Sequence, residues 1–308
     1  MKKFLKYVTL FSLPIIVCLS LIEFITGLIP NSYSYKYNYV KEHGNEIEAI
    51  AIGHSQLYDG FKPESFILPS FNLCNSAQSY SDNYYILTEL LPSMPNLRVV
   101  MMPIGYLNVG LKGTADEFSE RSCYYHKYMN LSYDDLLPLK NRLECLDLKR
   151  ACKKIFLYYF QKGDIVGCDS LGRRSTQSLN KRKHKLGYDK LFETYTLKQN
   201  TGFRIKDEKY LVEITKILKE KHIRLVLVSP PYYWSCFNGE NKNQQFYINN
   251  YVMNFCSKFS VEHIDMEHDE SFEYDDFFNE SHLSEYGAEK FTKKLNDYFI
   301  SQSKVNSN

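Results

Sequence analysis

The sequence of 308 residues lacks the features that mark several large classes of protein. Its formal net charge is only +2, so the charge balance gives no reason to expect a nucleic-acid-binding surface. Its eight cysteines form no Cys-x-x-Cys pair and no zinc-like cluster, which argues against a metal centre. It also has no internal repeat and no low-complexity tract. We therefore expect no metal, no cofactor and no nucleic acid, and a chain long enough for one large domain.

Long hydrophobic runs are absent except at the N-terminus. Three lysines within the first six residues precede an apolar run from Val8 to Ile29, which is long enough to cross a bilayer as a helix. Basic residues before such a run predict an N-terminus inside and an extracytoplasmic domain. A cleavable signal peptide is the alternative, but no clear cleavage site follows. We predict an uncleaved anchor over 1–30, a juxtamembrane linker over 31–44 and an α/β domain over 45–308.

Five short apolar runs have the character of strands that are buried on both faces. They are Ile47–Ile52, Phe71–Cys74, Leu97–Met102, Ile223–Val228 and Val261–Ile264. Amphipathic helical patterns lie between and after them, at Asp82–Leu91, Asp207–Lys221, Gln244–Phe259 and Glu285–Ser301. Strands that alternate with helices predict an α/β fold with a parallel sheet covered on both sides.

About 120 residues separate the third and fourth predicted strands, far more than one crossover helix needs. We predict a mainly helical insertion over about 111–202, with helices at Tyr133–Leu143 and Leu148–Phe160. Its segment Gly172–Lys185 is rich in Arg and Lys. Two interpretations stay open for this segment: a solvated, mobile loop, or a surface that attracts an acidic glycan or anionic lipid headgroups.

Two candidate catalytic side chains lie far apart in the sequence. Ser55 follows the first predicted strand through Gly53, which allows a sharp turn that exposes the hydroxyl. His282 lies in a predicted loop before the last helix, where an imidazole can accept and return a proton near neutral pH. A serine hydroxyl is a poor nucleophile without such a base within hydrogen-bond reach. Because the strand ends of a parallel sheet meet on one edge, this fold can bring the two together.

The motifs around these residues resemble those of the SGNH/GDSL-type hydrolases. The Gly-His-Ser sequence at 53–55 resembles their first block, Gly-Asp-Ser, and Phe71–Ser79 resembles their second block. The Asn-x-x-His-Leu sequence at 279–283 resembles their final Asp-x-x-His-Leu block. The layout is also similar to the membrane-anchored SGNH-like proteins of cell-envelope polymer acylation, such as the alginate O-acetylation and lipoteichoic acid D-alanylation proteins. The resemblance, which covers roughly 45–105 and 205–300, implies a three-layer, flavodoxin-like parallel sheet.

The resemblance also implies a role for each site residue. Ser55 would be the nucleophile and His282 the base. The backbone N–H groups of Ser55 and Ala77, together with Asn75, would hold the oxyanion. Ala77 stands where the family has Gly, a change that a backbone donor survives. The Asn of the third block has no clear counterpart, and Asn108 is a weaker candidate for it than Asn75.

The group that orients the imidazole is left open by the sequence. Asn279 stands where the family has Asp, and the same exchange in serine proteases lowers turnover about 10⁴-fold by favouring the wrong tautomer. Asn279 is one candidate orienter of His282, Asp275 or Asp276 is another, and a backbone carbonyl is a third.

An aromatic group follows the fourth predicted strand and would lie on the same edge of the sheet as the candidate catalytic residues. It consists of Tyr232, Tyr233 and Trp234. Two interpretations are open: the rings stack on a sugar, or they pack the insertion against the core.

Three functions are compatible with these patterns. The first is an SGNH-like serine O-acyltransferase, most simply an O-acetyltransferase, that acts on an extracytoplasmic or surface polysaccharide through acyl-Ser55. The family resemblance implies a multi-spanning membrane O-acyltransferase as the partner that supplies the acyl group. The second is an extracytoplasmic carbohydrate esterase or deacetylase with the same Ser-His dyad. The third is a catalytically degenerate adaptor that binds glycan, a hypothesis that Asn279 favours.

Overall fold

The computed structural model describes residues 1–107, 120–131, 142–163, 166–174, 186–187, 205 and 207–305. Most of the predicted helix at 133–143, Asn108 and most of the basic segment lie outside the described residues, and the bounds of the insertion stay a prediction. The chain divides into two compact units. We call them the helical unit, Met1–Asn38 with Phe118–Gly167, and the sheet unit, Tyr39–Glu117 with Cys168–Asn308.

The sheet of the sheet unit is parallel and has five strands. They are β1 Ala49–Ala51, β2 Ser70–Asn72, β3 Val99–Pro103, β4 Arg224–Ser229 and β5 Glu262–Asp265. Their order is β2-β1-β3-β4-β5, which is the flavodoxin-like order. In the centre, Ile50 is paired with Phe71 on one side and with Val100 on the other. Every residue of β1, β2 and β3 is buried, so both faces are covered. The predicted three-layer α/β fold is confirmed.

The helices in the described residues are α1 Lys2–Gly27, α2 Ser32–His43, α3 Ser55–Gly60, α4 Tyr80–Leu90, α5 Glu120–Met129, α6 Leu148–Tyr159, α7 Glu208–Glu220, α8 Lys242–Phe259 and α9 Glu285–Val305. Helices α4 and α6 to α9 match the predicted amphipathic patterns closely, whereas no such pattern predicted α2, α3 or α5. Helix α4 begins earlier than its apolar pattern suggests because Ser79 and Asp82 form a reciprocal capping box. Helix α4 packs on α7, and α3 packs on α9.

Most of the predicted juxtamembrane linker over 31–44 forms helix α2, and its role as a linker stays a prediction. The Asn31 side chain caps this helix, since its Oδ1 accepts from the N–H groups of Tyr33 at 3.1 Å and Ser34 at 3.0 Å. Within the sheet unit, Val40 is fully buried and the Tyr39 ring stacks on Phe71 at 4.3 Å. Hydropathy did not predict this helix because the segment is rich in Tyr and Ser. Tyrosine scores as nearly neutral on such scales, although its ring packs like that of any aromatic residue.

Helix α1 is long and apolar enough to cross a membrane, and its most apolar window buries none of its residues. A signal sequence near the N-terminus also meets this criterion of length and hydropathy. The end of α1 is held by charges within the helical unit. Glu23 Oε1 pairs with Lys127 Nζ at 2.5 Å, and Lys127 Nζ also pairs with Glu144 Oε1 at 3.1 Å. Lys154 Nζ reaches the other oxygen of Glu144 at 2.8 Å.

All eight cysteines lie in the described residues, and each is a free thiol. Cys74 follows β2 and is fully buried, as expected for a small apolar side chain in the core.

Strand β1 reaches helix α3 through Gly53, and only glycine fits there. Its φ of +146° is a backbone conformation that L residues avoid. A Cβ at this position would lie 2.3 Å from Cδ of Pro103, at the end of β3. The close approach of these two chain segments sets the position of Ser55.

We predict that Gly53→Ala lowers the free energy of unfolding of the sheet unit by about 2 kcal/mol or more, because it adds a strained φ and an overlap with Pro103. The measurement is urea unfolding followed by the fluorescence of the single tryptophan, Trp234. The control is Gly187→Ala, at φ +108° with no atom near its Cβ position. Equal losses in the two variants would contradict the role assigned to the Pro103 contact.

Candidate active site

The candidate nucleophile is the first residue of a short helix. Ser55 opens α3 directly after the Gly53 turn, so its side chain stands at the carboxyl edge of the sheet. Asp59 lies one helical turn later on the same face, and its side chain is fully buried. The intervening Gln56 is buried, and its Nε2 donates to the carbonyl oxygen of Ser281 at 3.4 Å.

The candidate base stands on a small hairpin that the sequence predicted as a loop. Strands β6, Phe277–Asn279, and β7, His282–Leu283, pair antiparallel and place Asn279 opposite His282. His282 Nε2 lies 2.8 Å from Ser55 Oγ, which is hydrogen-bond distance. The structure therefore brings together the two residues that the sequence singled out.

Asn279 makes the shorter of two contacts with the other nitrogen of the ring, and Ser281 Oγ makes the second at 3.1 Å. Asn279 Oδ1 lies 2.9 Å from His282 Nδ1, and it also accepts from the backbone N–H groups of Ser281 at 3.1 Å and His282 at 3.0 Å. Because a backbone N–H can only donate, the Asn279 atom that faces this group must be the amide oxygen. Nδ1 then carries the proton and Nε2 is the free acceptor, which is the tautomer that a general base needs.

Asp276, the alternative candidate for orienting His282, contacts other groups instead. Its carboxylate pairs with Lys290 at 2.8 Å and accepts from the backbone N–H of Glu273 at 2.9 Å. Like Asp275, it belongs to a short 3₁₀ turn, Tyr274–Asp276, which ends before β6. Lys290 on α9 gives Asp276 an opposite charge, so this carboxylate stabilises the turn and not the imidazole.

A residue of the predicted basic segment 172–185, Arg174, lies beside the site. Arg174 Nε pairs with Asp59 Oδ1 at 3.0 Å, and its Nη2 donates to Ser76 Oγ at 2.6 Å. The other oxygen of Asp59 lies 3.8 Å from His282 Nε2. The site thus contains a carboxylate after all, on the Ser55 side of the ring. The signal in the sequence was the spacing of Asp59 from Ser55, one helical turn.

Arg173, from the same basic segment, is buried, so the solvated-loop interpretation does not hold for it. Its side chain is 3% exposed, Nε donates to the carbonyl oxygen of Asp59 at 2.9 Å, and Nη1 pairs with Glu285 at 2.7 Å. Gly172 makes this placement possible. It has a φ of +84°, and a Cβ there would lie 2.3 Å from the carbonyl oxygen of Asn72 on β2. Residues 175–185 of the predicted basic segment lie outside the described part of the chain.

Burial and the Arg174 charge lower the pKa of His282 to about 3. The imidazole is therefore neutral, and able to accept a proton, between about pH 5 and 8. Burial is the larger cause of this lowered pKa and the Arg174 cation the smaller one, and no negative charge at Asn279 opposes them. A family-type Asp at 279 would pull the pKa in the opposite direction.

The candidate oxyanion donors lie on the loop after β2. Ala77 has a φ of +48°, in the left-handed region that favours glycine. Glycine is the residue that the second block of the SGNH/GDSL-type hydrolases has at the corresponding position. Among the described residues, the N–H groups of Ser55 and Ala77 have no hydrogen-bond acceptor. Asn75 is buried, and its Nδ2 donates to Gln78 Oε1 at 3.0 Å. That leaves one N–H of Asn75 for another acceptor, and the oxyanion roles stay predictions.

The three predicted aromatic residues have different surroundings. Tyr232 is buried, and its hydroxyl donates to Gln56 Oε1 at 3.3 Å. Tyr233 packs edge-on against Phe277 at 5.5 Å. Trp234 is 61% exposed. They border a cavity of about 330 Å³, whose lining residues are Tyr232, Tyr233, Trp234, Phe237, His268, Asp269, Glu270 and Phe272.

In the part of the chain that the structure describes, no three His, Cys, Asp or Glu side chains converge as metal ligands would. The chemistry that the described side chains can perform is proton transfer between Ser55 and His282, beside a carboxylate–guanidinium pair.

Comparisons with known proteins add only a weak likeness of fold. No protein-family profile matches the chain, and no curated protein matches it. Three solved structures resemble it at TM-scores of 0.39, 0.38 and 0.39. They are described as a lipolytic protein of the G-D-S-L family from Desulfitobacterium hafniense, a platelet activating factor from Streptococcus pneumoniae and an acylhydrolase from Bacteroides fragilis. Their sequence identities are 10%, 12% and 8%.

These likenesses extend over most of each chain. They cover 81%, 85% and 85% of this chain, and 98%, 90% and 95% of the three solved ones. At such identities and scores they carry no argument about activity. Functional conclusions rest on the site geometry alone.

We predict that Arg174→Gln moves the acid limb of Ser55 reactivity to higher pH. Reaction needs neutral His282, so reactivity falls as pH drops through the pKa of the imidazole. Removing the cation raises that pKa, and the fall then occurs at a higher pH. The measurement is the rate of labelling by a fluorophosphonate probe against pH, with Arg98→Gln, an exposed arginine of the same unit, as the control.

Asn279→Asp serves as a second arm of this test. It places a negative charge 2.9 Å from Nδ1, so the acid limb should move in the same direction while labelling at neutral pH persists or rises. An unchanged limb in both variants would show that His282 is not the group that titrates.

Proposed function

We propose that this protein performs serine-dependent acyl chemistry through an acyl-Ser55 intermediate. The observation that carries this proposal is the hydrogen-bonded chain from Ser55 Oγ through the His282 ring to Asn279 Oδ1, with distances of 2.8 Å and 2.9 Å. It supplies a nucleophile, a base in the correct tautomer and an orienting acceptor. Proximity to the carboxyl edge of the sheet leaves the hydroxyl partly accessible to a substrate.

The reaction has two halves. Ser55 Oγ attacks the carbonyl carbon of an ester while its proton passes to His282 Nε2, and the resulting oxyanion is held by the N–H groups of Ser55 and Ala77. The imidazolium then gives its proton to the departing alcohol, and the C–O bond to that alcohol breaks. In the second half an incoming hydroxyl group loses its proton to His282, attacks the acyl carbon and releases Ser55.

The imidazolium needs a negative charge that Asn279 does not provide. Asp59 lies 3.8 Å from Nε2, on the side where the proton arrives, and so it stabilises the cation that forms during the reaction. Arg174 holds that carboxylate in place and moderates its charge. Asp59 and Arg174 thus take over the electrostatic part of the role that an Asp at 279 has in the family.

We further propose that the acceptor is a hydroxyl group of an extracytoplasmic polysaccharide. The cavity beside Tyr233 and Trp234 combines aromatic faces with Asp269 and Glu270, a combination that suits sugar rings and their hydroxyls. Helix α1 would anchor the chain with its N-terminus inside. The site would then lie near the membrane, where a multi-spanning O-acyltransferase supplies the acyl group.

We predict that Ser55→Ala lowers fluorophosphonate labelling and esterase activity at least about 10³-fold, because among the described residues Ser55 carries the only hydroxyl hydrogen-bonded to His282 Nε2. The matched control is Ser301→Ala on the surface of α9. Full labelling of Ser55→Ala would overturn the acyl-enzyme mechanism. Absence of labelling in the unaltered protein would favour the glycan-binding adaptor.

We predict that Trp234→Ala raises the KM for an oligosaccharide acceptor about 3- to 10-fold and leaves the hydrolysis of a small soluble ester unchanged. The control is Phe246→Ala, an aromatic of similar exposure on α8 outside the cavity (71% against 61% for Trp234). The assay supplies a defined oligosaccharide with an acyl ester and separates acylated glycan from free acid. Free acid alone would replace the transferase proposal with the esterase.

A further inference from the structure

The helical unit contains a cavity that is independent of the Ser55 site. It has a volume of about 360 Å³ and lies between the start of α2 and helices α5 and α6. Arg150, Lys153 and Lys154 line it from α6. Their spacing of three and four residues puts them on one face of that helix. Tyr33 and Tyr124 form part of the opposite wall, with ring centroids 5.3 Å apart. We call this the cationic pocket.

The charges around the cationic pocket do not cancel. Arg150 pairs with Asp147 at 3.2 Å, and Lys154 pairs with Glu144 at 2.8 Å. Lys153 is exposed and has no acidic partner among the described residues. Within the part of the unit that the structure describes, these three cations therefore face two carboxylates, which leaves one positive charge in excess for a ligand. An anion is the ligand that this balance favours.

The position of the cationic pocket relates it to the apolar helix. Most of the apolar side chains of α1 from Phe4 to Phe24 are exposed, a length of about 32 Å at 1.5 Å per residue, which is close to the hydrocarbon core of a bilayer at about 30 Å. Beyond them, Lys154 Nζ donates to the carbonyl oxygen of Thr26 at 3.3 Å. A wall of the pocket therefore touches α1 near the end of its exposed apolar length. This is the depth of lipid headgroups if α1 crosses the membrane.

The surface of α6 next to the pocket is suited to a membrane interface. Leu148 is 50% exposed, Phe156 51% and Phe160, just past the end of the helix, 73%. Exposed apolar and aromatic side chains beside lysines are typical of helices that lie at the boundary between headgroups and acyl chains. Inside the pocket, Leu157 and the tyrosine rings make most of the wall apolar, which suits an amphiphile better than a free ion.

We propose that the cationic pocket binds the phosphate-bearing headgroup of an anionic phospholipid from the bilayer that α1 crosses. The phosphate would lie against Arg150 and Lys153, and the glycerol end against Leu157 and Tyr124. The bound lipid fixes the helical unit against the membrane surface. This site is separate from the acyl chemistry, since none of its residues belongs to the sheet unit.

The test uses the full-length chain in a nonionic detergent and titrates it with phosphatidylglycerol or with phosphatidylcholine of the same acyl chains. Native mass spectrometry counts bound lipids. We expect phosphatidylglycerol to bind at least about 10-fold more tightly than phosphatidylcholine, and the double variant Arg150→Gln/Lys153→Gln to lose about 30-fold of that affinity. Lys153→Gln alone, at an exposed residue, should lose about 5-fold.

The matched control is Lys149→Gln, which removes the same charge from the same helix at a residue outside the pocket, and should change affinity less than about 2-fold. Circular dichroism checks that each variant keeps its helices. Equal binding of the two lipids, or equal losses for Lys149→Gln and Lys153→Gln, would overturn the proposal. So would inorganic phosphate that binds as tightly as phosphatidylglycerol, because the ligand would then be a free anion. Ser55→Ala should bind lipid normally.

Discussion

One hydrogen bond, between Ser55 Oγ and His282 Nε2, joins residues 227 positions apart and is the contact on which the candidate site depends. Each end has its own support. The serine is placed by the Gly53 turn against Pro103, and the histidine by a short hairpin. Gln56 links the two supports, because its side chain donates to the carbonyl oxygen between the hairpin strands. The parallel sheet contributes the edge at which both supports end.

Two residues share the role that one aspartate has in a Ser-His-Asp triad. Asn279 sets the tautomer of the ring through an oxygen that backbone donors keep in position, and Asp59 brings a negative charge to the opposite nitrogen. Arg174 pairs with the Asp59 carboxylate and offsets part of its negative charge. A carboxylate in the Asn279 position would do both at once, at the cost of a higher imidazole pKa. The arrangement found here keeps the base neutral far into the acid range.

The strands and the two candidate catalytic residues could be predicted from the sequence, because apolar periodicity and short motifs indicate them together. The five strands were visible as apolar runs, and Ser55 and His282 could be paired because strand ends meet on one edge. Three features were hidden. Arg174 lies near Ser55 only through a close passage at Gly172, which depends on φ and on the neighbouring backbone. Helix α2 is masked by tyrosines that hydropathy scales count as neutral. The amide orientation of Asn279 is fixed by neighbouring N–H groups, which no residue pattern reveals.

The hairpin β6–β7 carries both Asn279 and His282, whereas Ser55 belongs to a different element. A displacement of the hairpin would therefore move the imidazole and its amide partner as one body and break only the bond to the serine. The proton distribution on the ring would survive every such excursion. When the hairpin returned, Nδ1 would still carry the proton and Nε2 would still be free to accept one from Ser55. Opening the site for substrate exchange would therefore not change the tautomer of the base.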